Sequence, residues 1–377
     1  VKRLACRFLV FAVIALAAPL ASAEEAFALE GLVRGPDGEG IADIGVVVKV
    51  DGARLETTTD TAGAFAFPDT RIYNQAIVLL TGDAGTGRVA IPAHRAVDPL
   101  ELEYPVRSEV VILHDNDQHF DWNFIDAIES EIHRTRSEHT NVFLLNAGDI
   151  FVRHADRWGQ PGNYGWYARQ AAFSMETMNR LRYDAMTGGN HEFDAKEYFT
   201  LEALEKAQFP LLAANMLITT DRLPRFAPFT VLRTAEGYTI AVLGLSTGNF
   251  VGVARQDPIE TAKKYVHLAG DYDLFVALTH IGFNSDRDLA EEVPELDVII
   301  GGHSHTLLEE AEMVNGVLVA QAGGGGHYFD AEKPAYLGKI TVILENGVPI
   351  EKSGFVTRFT AAGSEALTAE PAGAAAN

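Results

Sequence analysis

Asp, Asn and His residues recur in this chain at five places. Asp117 and His119 lie in DNDQH, Asp149 in NAGD, Asn190 and His191 in GGNHEFD, His280 in ALTH, and His303 and His305 in GGHSH. Carboxylate, amide and imidazole groups together are a ligand set for hard or borderline divalent cations. Each stretch follows a short apolar run (VVIL, NVFLL, YDAMT, LFVAL, DVII) that reads as a β-strand. Loops at the carboxyl ends of strands are where α/β proteins gather their sites. A metal-dependent hydrolase is therefore the leading reading.

Asp117 and His119 are two residues apart, so on an extended segment both side chains point the same way and can share a cation. A carboxylate such as Asp149 can bridge two cations, and Gly148 before it lets the backbone turn tightly. Asn190 offers a neutral carbonyl oxygen, which leaves the adjacent His191 ring free for another task. Asp194, three residues on, is within a helical turn and can orient that ring. His303 and His305 again alternate by two. Taken singly, a Gly-Asp turn or a histidine ending a strand is more often structural; the joint order carries the argument. His94, His114, His133, His139, His154, His267 and His327 fall outside the pattern and read as structural or surface residues. Of these, His114 and His154 lie nearest the motifs.

Around these motifs, the 377 residues exceed what one compact domain usually takes, which predicts two. With 52 acidic against 30 basic residues the formal charge is −22, which argues against binding a nucleic-acid backbone. An anionic substrate would then depend on local positive charge of the kind bound metals supply. Residues 1–23 read as a secretory signal: Lys2, Arg3 and Arg7, an apolar stretch from Leu9 to Leu20, and Ala21-Ser22-Ala23 as the cleavage site. The apolar run is short for a membrane span, so no span is expected after cleavage. Cys6 is the sole cysteine, and its loss with the signal leaves no disulfide or thiolate chemistry. A periplasmic or secreted protein is expected.

Residues 24–107 show short strands separated by turn clusters, as in a small β-sandwich. The pattern GLVRGPDGEGIADIGVVVKVDG followed by TTTDTAGAFAF resembles the carboxypeptidase regulatory-like domain family, which implies an accessory spacer or a module that docks another envelope protein. Residues 108–360 alternate strands with amphipathic helices, for instance at Phe124, Ile125, Ile128 and Ile132, and around 167–181 and 200–207. Ile340–Leu344 reads as the strand closing the sheet. Residues 361–377 are low in complexity and read as a disordered tail.

YDAMTGGNHEFD and LAEEVPELDVIIGGHSHTLL, with the other motifs, make Val110 to Leu344 resemble the calcineurin-like metallophosphoesterase superfamily. Within it the chain is most similar to the catalytic domain of the periplasmic 5′-nucleotidase family. The resemblance implies an α/β fold, a four-layer α/β/β/α sandwich, here with a small N-terminal all-β sandwich domain. It implies two divalent metal ions, of Mn, Zn, Fe or Co. Asp117, His119, Asp149 and His305 would hold the first, and Asp149, Asn190, His280 and His303 the second. It makes His191 the non-ligand catalytic histidine and Asp194 its partner. Departures from the family pattern are Asp115 in place of a threonine, Phe120 in place of a glycine, an extended segment at 323–336, and a segment at 151–165, rich in Trp158, Tyr164, Gly and Arg, that reads as a site-covering loop. Only 72 residues follow His305 in the sequence, so the family's C-terminal nucleotide-binding domain is not expected.

The expected activity is hydrolysis of a small phosphate mono- or diester, nucleotides among them, in the cell envelope. Alternatives are a 5′-nucleotidase or 2′,3′-cyclic phosphodiesterase whose base pocket comes from another domain or chain, a thiosulfohydrolase-like enzyme, and a non-catalytic metal-dependent protein that captures phosphate-bearing ligands. Intact His191 and Asp194 weigh against the last.

Overall fold

The computed structural model describes residues 29–50, 52–67, 76–91, 99–152, 164–193, 198–218, 224–248, 253–324 and 333–367. The signal segment, Asp194, His94, His154 and His327 lie outside these residues.

Seven strands come first: β1 (Leu29–Arg34), β2 (Gly45–Val50), β3 (Ala53–Thr58), β4 (Ala64–Phe67), β5 (Ala76–Gly82), β6 (Gly85–Ile91) and β7 (Leu100–Glu103). They form two sheets, ordered β4-β1-β7 and β3-β2-β5-β6. Alternation along β2 sends Val46, Val48 and Val50 inward against Phe65, Val78, Leu80 and Leu102. One apolar face per sheet is what a two-layer β-sandwich requires.

Next come β8 (Arg107–Asp115), α1 (Ile125–Glu138), β9 (Val142–Asn146), α2 (Tyr164–Leu181), β10 (Ala185–Thr187), α3 (Asn190–Phe193), α4 (Tyr198–Leu204), β11 (Leu211–Leu212) and β12 (Met216–Ile218). The second half holds β13 (Phe229–Arg233), β14 (Thr239–Leu245), β15 (Val253–Arg255), α5 (Pro258–Ala262), α6 (Leu268–Asp271), β16 (Leu274–Thr279), α7 (Phe283–Glu292), β17 (Val298–Ile300), β18 (Glu312–Val314) and β19 (Val317–Ala320). Three long-range partners complete it: β20 (Ala335–Glu345), β21 (Val348–Thr360) and β22 (Gly363–Leu367).

Two large sheets result, ordered β11-β10-β9-β8-β20-β21-β22 and β13-β14-β16-β17-β19-β18, beside a two-stranded sheet of β12 and β15. Their layering follows from alternation. In β8, Val111 and Leu113 face a core shared with Ile128 and Ile132 of α1 and Met175 and Met178 of α2. Val110 and Ile112 face the other way, into a core shared with Val276, Leu278 and Val298 of the second sheet. Phe275 and Ala277 of β16 then pack on Leu289, Ala290 and Val293 along α7. Strands covered on both faces read as continuous apolar runs, which is why VVIL and LFVAL carry no alternation. The result is the expected four-layer α/β/β/α sandwich, with a small all-β unit ahead of it.

Two expectations are corrected. Ile340–Leu344 does not close the sheet: β20 stands inside it, between β8 and β21. Nor is all of 361–377 a disordered tail, since Gly363–Leu367 is β22, paired antiparallel with Val356–Thr360. Small and polar residues on an exposed edge strand look like low complexity in sequence, and backbone pairing supplies what their side chains do not.

The all-β unit docks on the end of these sheets away from the metal-ligand motifs. The backbone N–H of Arg88 donates to Tyr238 Oη at 2.9 Å, and its Nη1 donates to Gly237 O at 2.9 Å and Asp273 Oδ2 at 3.0 Å. Asn346, at the β20–β21 turn, accepts from Val106 N and donates to Ala84 O. Asp273 precedes β16, whereas His280 follows it. At about 3.3 Å per residue, roughly 20 Å of strand separates this contact from the motifs.

Candidate metal centre

Parallel pairing of β8 with β9 and of β16 with β17 puts the ends of these strands level. β8 delivers Asp117 and His119, β9 Asp149, β10 Asn190 and His191, β16 His280, and β17 His303 and His305. The first loop is not extended as expected. Asp117 has φ 54° and His119 φ 48°, and Asp149, His303 and His305 have φ 57°, 77° and 52°. Such left-handed conformations cost non-glycine residues of order 1–3 kcal/mol each and persist where surroundings over-determine them. Here two loops continue the strand pairing: Asp117 N donates to Gly148 O, His119 N to Asp149 O and Phe120 N to Ile150 O. The side chains of Asp117 and His119 thus converge through two backbone kinks.

Seven expected ligands come together. Asp117 Oδ1 lies 3.3 Å from His305 Nε2, 3.7 Å from His119 Nε2 and 4.0 Å from His280 Nε2. Asp149 Oδ2 lies 3.1 Å from His280 Nε2. Asn190 Oδ1 lies 2.7 Å from His303 Nδ1 and 3.3 Å from His280 Nε2. The ligand atoms of Asp117, His119 and His305 group within 4.8 Å of one another, as do those of Asp149, His280 and His303. His191 is beside them, with Nε2 3.8 Å from Asp149 Oδ2.

Three observations show that these residues fit cations. First, Asp117 Oδ1 is buried without a hydrogen-bond donor among the described residues, although buried acceptors are normally satisfied. Second, His119 Nδ1 faces Phe151 O at 2.9 Å and His280 Nδ1 faces Ala147 O at 2.7 Å. Carbonyls accept only from a protonated nitrogen, which leaves each Nε2 as a lone-pair donor aimed at the cluster. Third, glycines make room. A Cβ on Gly189 would stand 2.1 Å from Asp149 Oδ1, and one on Gly302 would stand 2.9 Å from His280 Nδ1.

The electrostatics agree. Burial disfavours charge on His280, but Asp149 and Asp117 override it and push the imidazole up to about 10. Burial also opposes ionisation of Asp149, yet His280 and the neighbouring imidazoles hold it well below the usual carboxylate range. Without metal, a proton on His280 takes the place a cation would fill. His119 and His303 are lowered, mainly by burial, while the Asp117 carboxylate 3.3 Å away raises His305.

Sequence reasoning missed several supports. Glu192 is fully buried and accepts four backbone N–H groups, from Asp149, Ile150, Phe151 and Gly189. Its place between His191 and Phe193 was the available signal. Asn146, within NAGD, donates to Asp115 and Gln118. Phe120 packs within 6.0 Å of Phe151, Trp166 and Tyr167, anchoring the first loop in the helical-side core. His114 is buried, away from the cluster, with Gly338 against its ring and its pKa lowered by burial to about 4. His139 pairs with Glu109 and His267 stacks on Tyr265.

A model of the calcineurin-like phosphoesterase family matches residues 110–307, just over half of the chain. The chain is 31% identical over 238 residues to the uncharacterized metallophosphoesterase YunD of Bacillus subtilis, covering 59% of this chain and 49% of that one. It is 28% identical over 298 residues to a 5′-nucleotidase of Vibrio cholerae, covering 64% of this chain and 52% of that one. The solved 5′-nucleotidase precursor from Thermus thermophilus superposes with a TM-score of 0.55 at 28% identity, covering 66% of this chain and 54% of that one. The chain thus spans about half the length of these relatives.

Proposed function

The chain belongs to the calcineurin-like phosphoesterase family, and from that premise we propose that it is a metal-dependent hydrolase of small phosphate mono- or diesters acting at the cluster described above. The observation that carries this reading is the buried, unsatisfied Asp117 Oδ1 facing His119, His280 and His305.

In this reading Asp117, His119 and His305 would hold one cation, Asn190, His280 and His303 would hold another, and Asp149 would serve both. When bound, the two cations would supply Lewis acidity at the phosphoryl oxygens and lower the pKa of a water. The chain's own residues do the rest. Carbonyls of Phe151 and Ala147 fix the rings of His119 and His280. His191 sits at the edge of the cluster, 15% exposed. Water oxygen bonds to phosphorus and its proton passes to solvent, the bond from phosphorus to the leaving oxygen breaks, and His191 gives that oxygen a proton and takes one back from solvent. Asp194 is proposed to orient His191.

The relatives named as 5′-nucleotidases make nucleotides the first natural class to test. Because the all-β unit docks at the far end of the sheets, a base pocket would have to come from elsewhere. We propose that unit as an accessory module, and propose export on the strength of residues 1–23. No helix among the described residues is long and apolar enough to cross a membrane.

The test is hydrolysis of p-nitrophenyl phosphate, its bis-ester and AMP, with and without added Mn²⁺, beside Asp149→Ala. Turnover that requires metal and vanishes in the variant is expected, and the preferred ester separates phosphatase from diesterase. Metal binding without turnover of any of the three would favour a binding role or sulfur-ester chemistry.

A further inference from the structure

We propose that Asp115, Asn146 and Tyr183 form a buried buttress that sets the first cation position, the one faced by Asp117 and His119, separately from the second. This rests on the metal-site reading above.

Asp115 ends β8 and Asn146 ends β9, side by side in the parallel ladder. Tyr183 comes from another element, the turn between α2 and β10. All three are buried. Asp115 Oδ1 accepts from Asn146 Nδ2 at 2.8 Å, and Asp115 Oδ2 accepts from Tyr183 Oη at 2.5 Å. Asn146 spends its remaining capacity on both ligand loops: Nδ2 donates to Gln118 Oε1 at 3.0 Å, and Oδ1 accepts from Gly148 N at 2.9 Å. Gln118 lies between Asp117 and His119, and Gly148 precedes Asp149. The three side chains therefore stitch the loop carrying Asp117 and His119 to the loop carrying Asp149.

Phe120 anchors one side of the first loop in the core, but packing is incomplete on another. A cavity of about 20 Å³ lies there, lined by Asp115, Asn116, Gln118, Asp121, Trp122 and Tyr336 among others. That is room for about one water, so on that side hydrogen bonds take over the fixing of the loop.

The second position is anchored differently. His280 N donates to Leu245 O at 2.7 Å, and its Nδ1 is held by Ala147 O. Asn190 opens α3, whose Glu192 ties it to the Asp149 loop. The second set meets the buttress less directly, through His303 N donating to Asp117 Oδ2 at 3.0 Å and through the backbone of Ala147 and Gly148 that follows Asn146, whereas Gln118 between Asp117 and His119 is bonded to Asn146 itself. Loss of the buttress should thus be felt first at Asp117 and His119.

The test is Mn²⁺ titration of the metal-free full chain by calorimetry, with bound metal counted after desalting. Wild type is expected to take two ions. Asp115→Ala is expected to keep one at wild-type affinity and to bind the other at least ~10-fold more weakly, the range seen when groups behind metal ligands are removed. Asp115→Asn, which can still accept from Asn146 and donate to Tyr183, is expected to restore both. Tyr183→Phe, losing one bond of the set, is expected to weaken one position only, by a smaller factor. Two ions at unchanged affinity in Asp115→Ala would overturn the proposal, and so would equal weakening of both positions with an unchanged metal-free unfolding midpoint. Should Asp115→Ala not fold, Tyr183→Phe decides in the same way: selective weakening supports the buttress and wild-type affinities overturn it. Wild type binding fewer than two ions would instead overturn the metal-site reading itself.

Discussion

Glu192 accepts the backbone N–H of Asp149 at 2.8 Å, so the residue that follows His191 holds the turn that presents the Asp149 carboxylate to the histidine cluster. The same side chain accepts from Gly189 N at 2.7 Å, Ile150 N at 3.0 Å and Phe151 N at 3.3 Å. One buried carboxyl thus satisfies the turn on each side of the site. Glu192→Ala leaves these donors in a dry place at about 1–3 kcal/mol for each one unsatisfied. The variant is expected to lose at least about 3 kcal/mol in urea unfolding of the metal-free protein and to bind metal poorly. Stability within about 0.5 kcal/mol of wild type would show that the turns do not depend on this group.

His191 lies at the edge of the cluster, 3.8 Å from Asp149 Oδ2, and its ring also groups with His119 and Asp149 within 4.8 Å. Its Nδ1 is buried without a partner among the described residues. Proximity therefore allows His191 to be a ligand, and the proposed proton-moving role is separable from it by experiment. His191→Asn is expected to keep two Mn²⁺ per chain and to lower kcat on p-nitrophenyl phosphate by roughly 10²–10⁴-fold, the usual worth of a general acid. Loss of a metal ion would make His191 a ligand, and unchanged kcat would remove it from the chemistry.

The cluster was legible because a cation site calls for these residue types: Asp117, His119, Asp149, Asn190, His280, His303 and His305 can be read without a structure, and their side chains converge in it. The layers were legible too, since runs such as VVIL are buried on both faces. The means of convergence was not. Left-handed backbone at Asp117 and His119 follows from pairing with the Gly148–Ile150 segment, a long-range contact with no local trace. Asp115, read as a departure from a family pattern, gains its meaning only from Tyr183, 68 residues away. β22 was hidden because a strand held by backbone bonds on an exposed edge needs no apolar pattern.

Asp286 reports on the second position from beneath. It is fully buried on α7, accepts from Thr279 Oγ1 at 2.6 Å, and would meet a Cβ on Gly301 at 2.1 Å from its other oxygen. Burial pushes its carboxyl up to about 8. Because the folded value lies above the unfolded one, this group takes up a proton on folding. Its stabilising contribution is complete below about pH 4 and is lost as pH rises through about 8. In the metal-free protein, Asp286→Asn is therefore expected to gain stability relative to wild type between pH 6 and pH 9, read from urea midpoints at each. A constant difference across that range would mean that Asp286 is already ionised in the fold.

Arg88 ties the all-β unit to the opposite end of the sheets. Its guanidinium donates to Asp273 and Gly237 and lies 4.9 Å from the Tyr238 ring centroid. Both partners of the ion pair are partly exposed, 32% and 17%, so solvent screening limits its worth. Arg88→Ala is expected to cost about 1–2 kcal/mol, mostly from the bonds to Gly237 and Asp273. Since roughly 20 Å of strand lies between Asp273 and His280, kcat and KM on p-nitrophenyl phosphate are expected to stay at wild-type values. The pairing of urea unfolding with steady-state kinetics separates the two roles. Lower stability with unchanged kinetics fits a docking contact, whereas a fall in kcat at full metal content would mean that this unit takes part in substrate handling, against the separation its docking position implies.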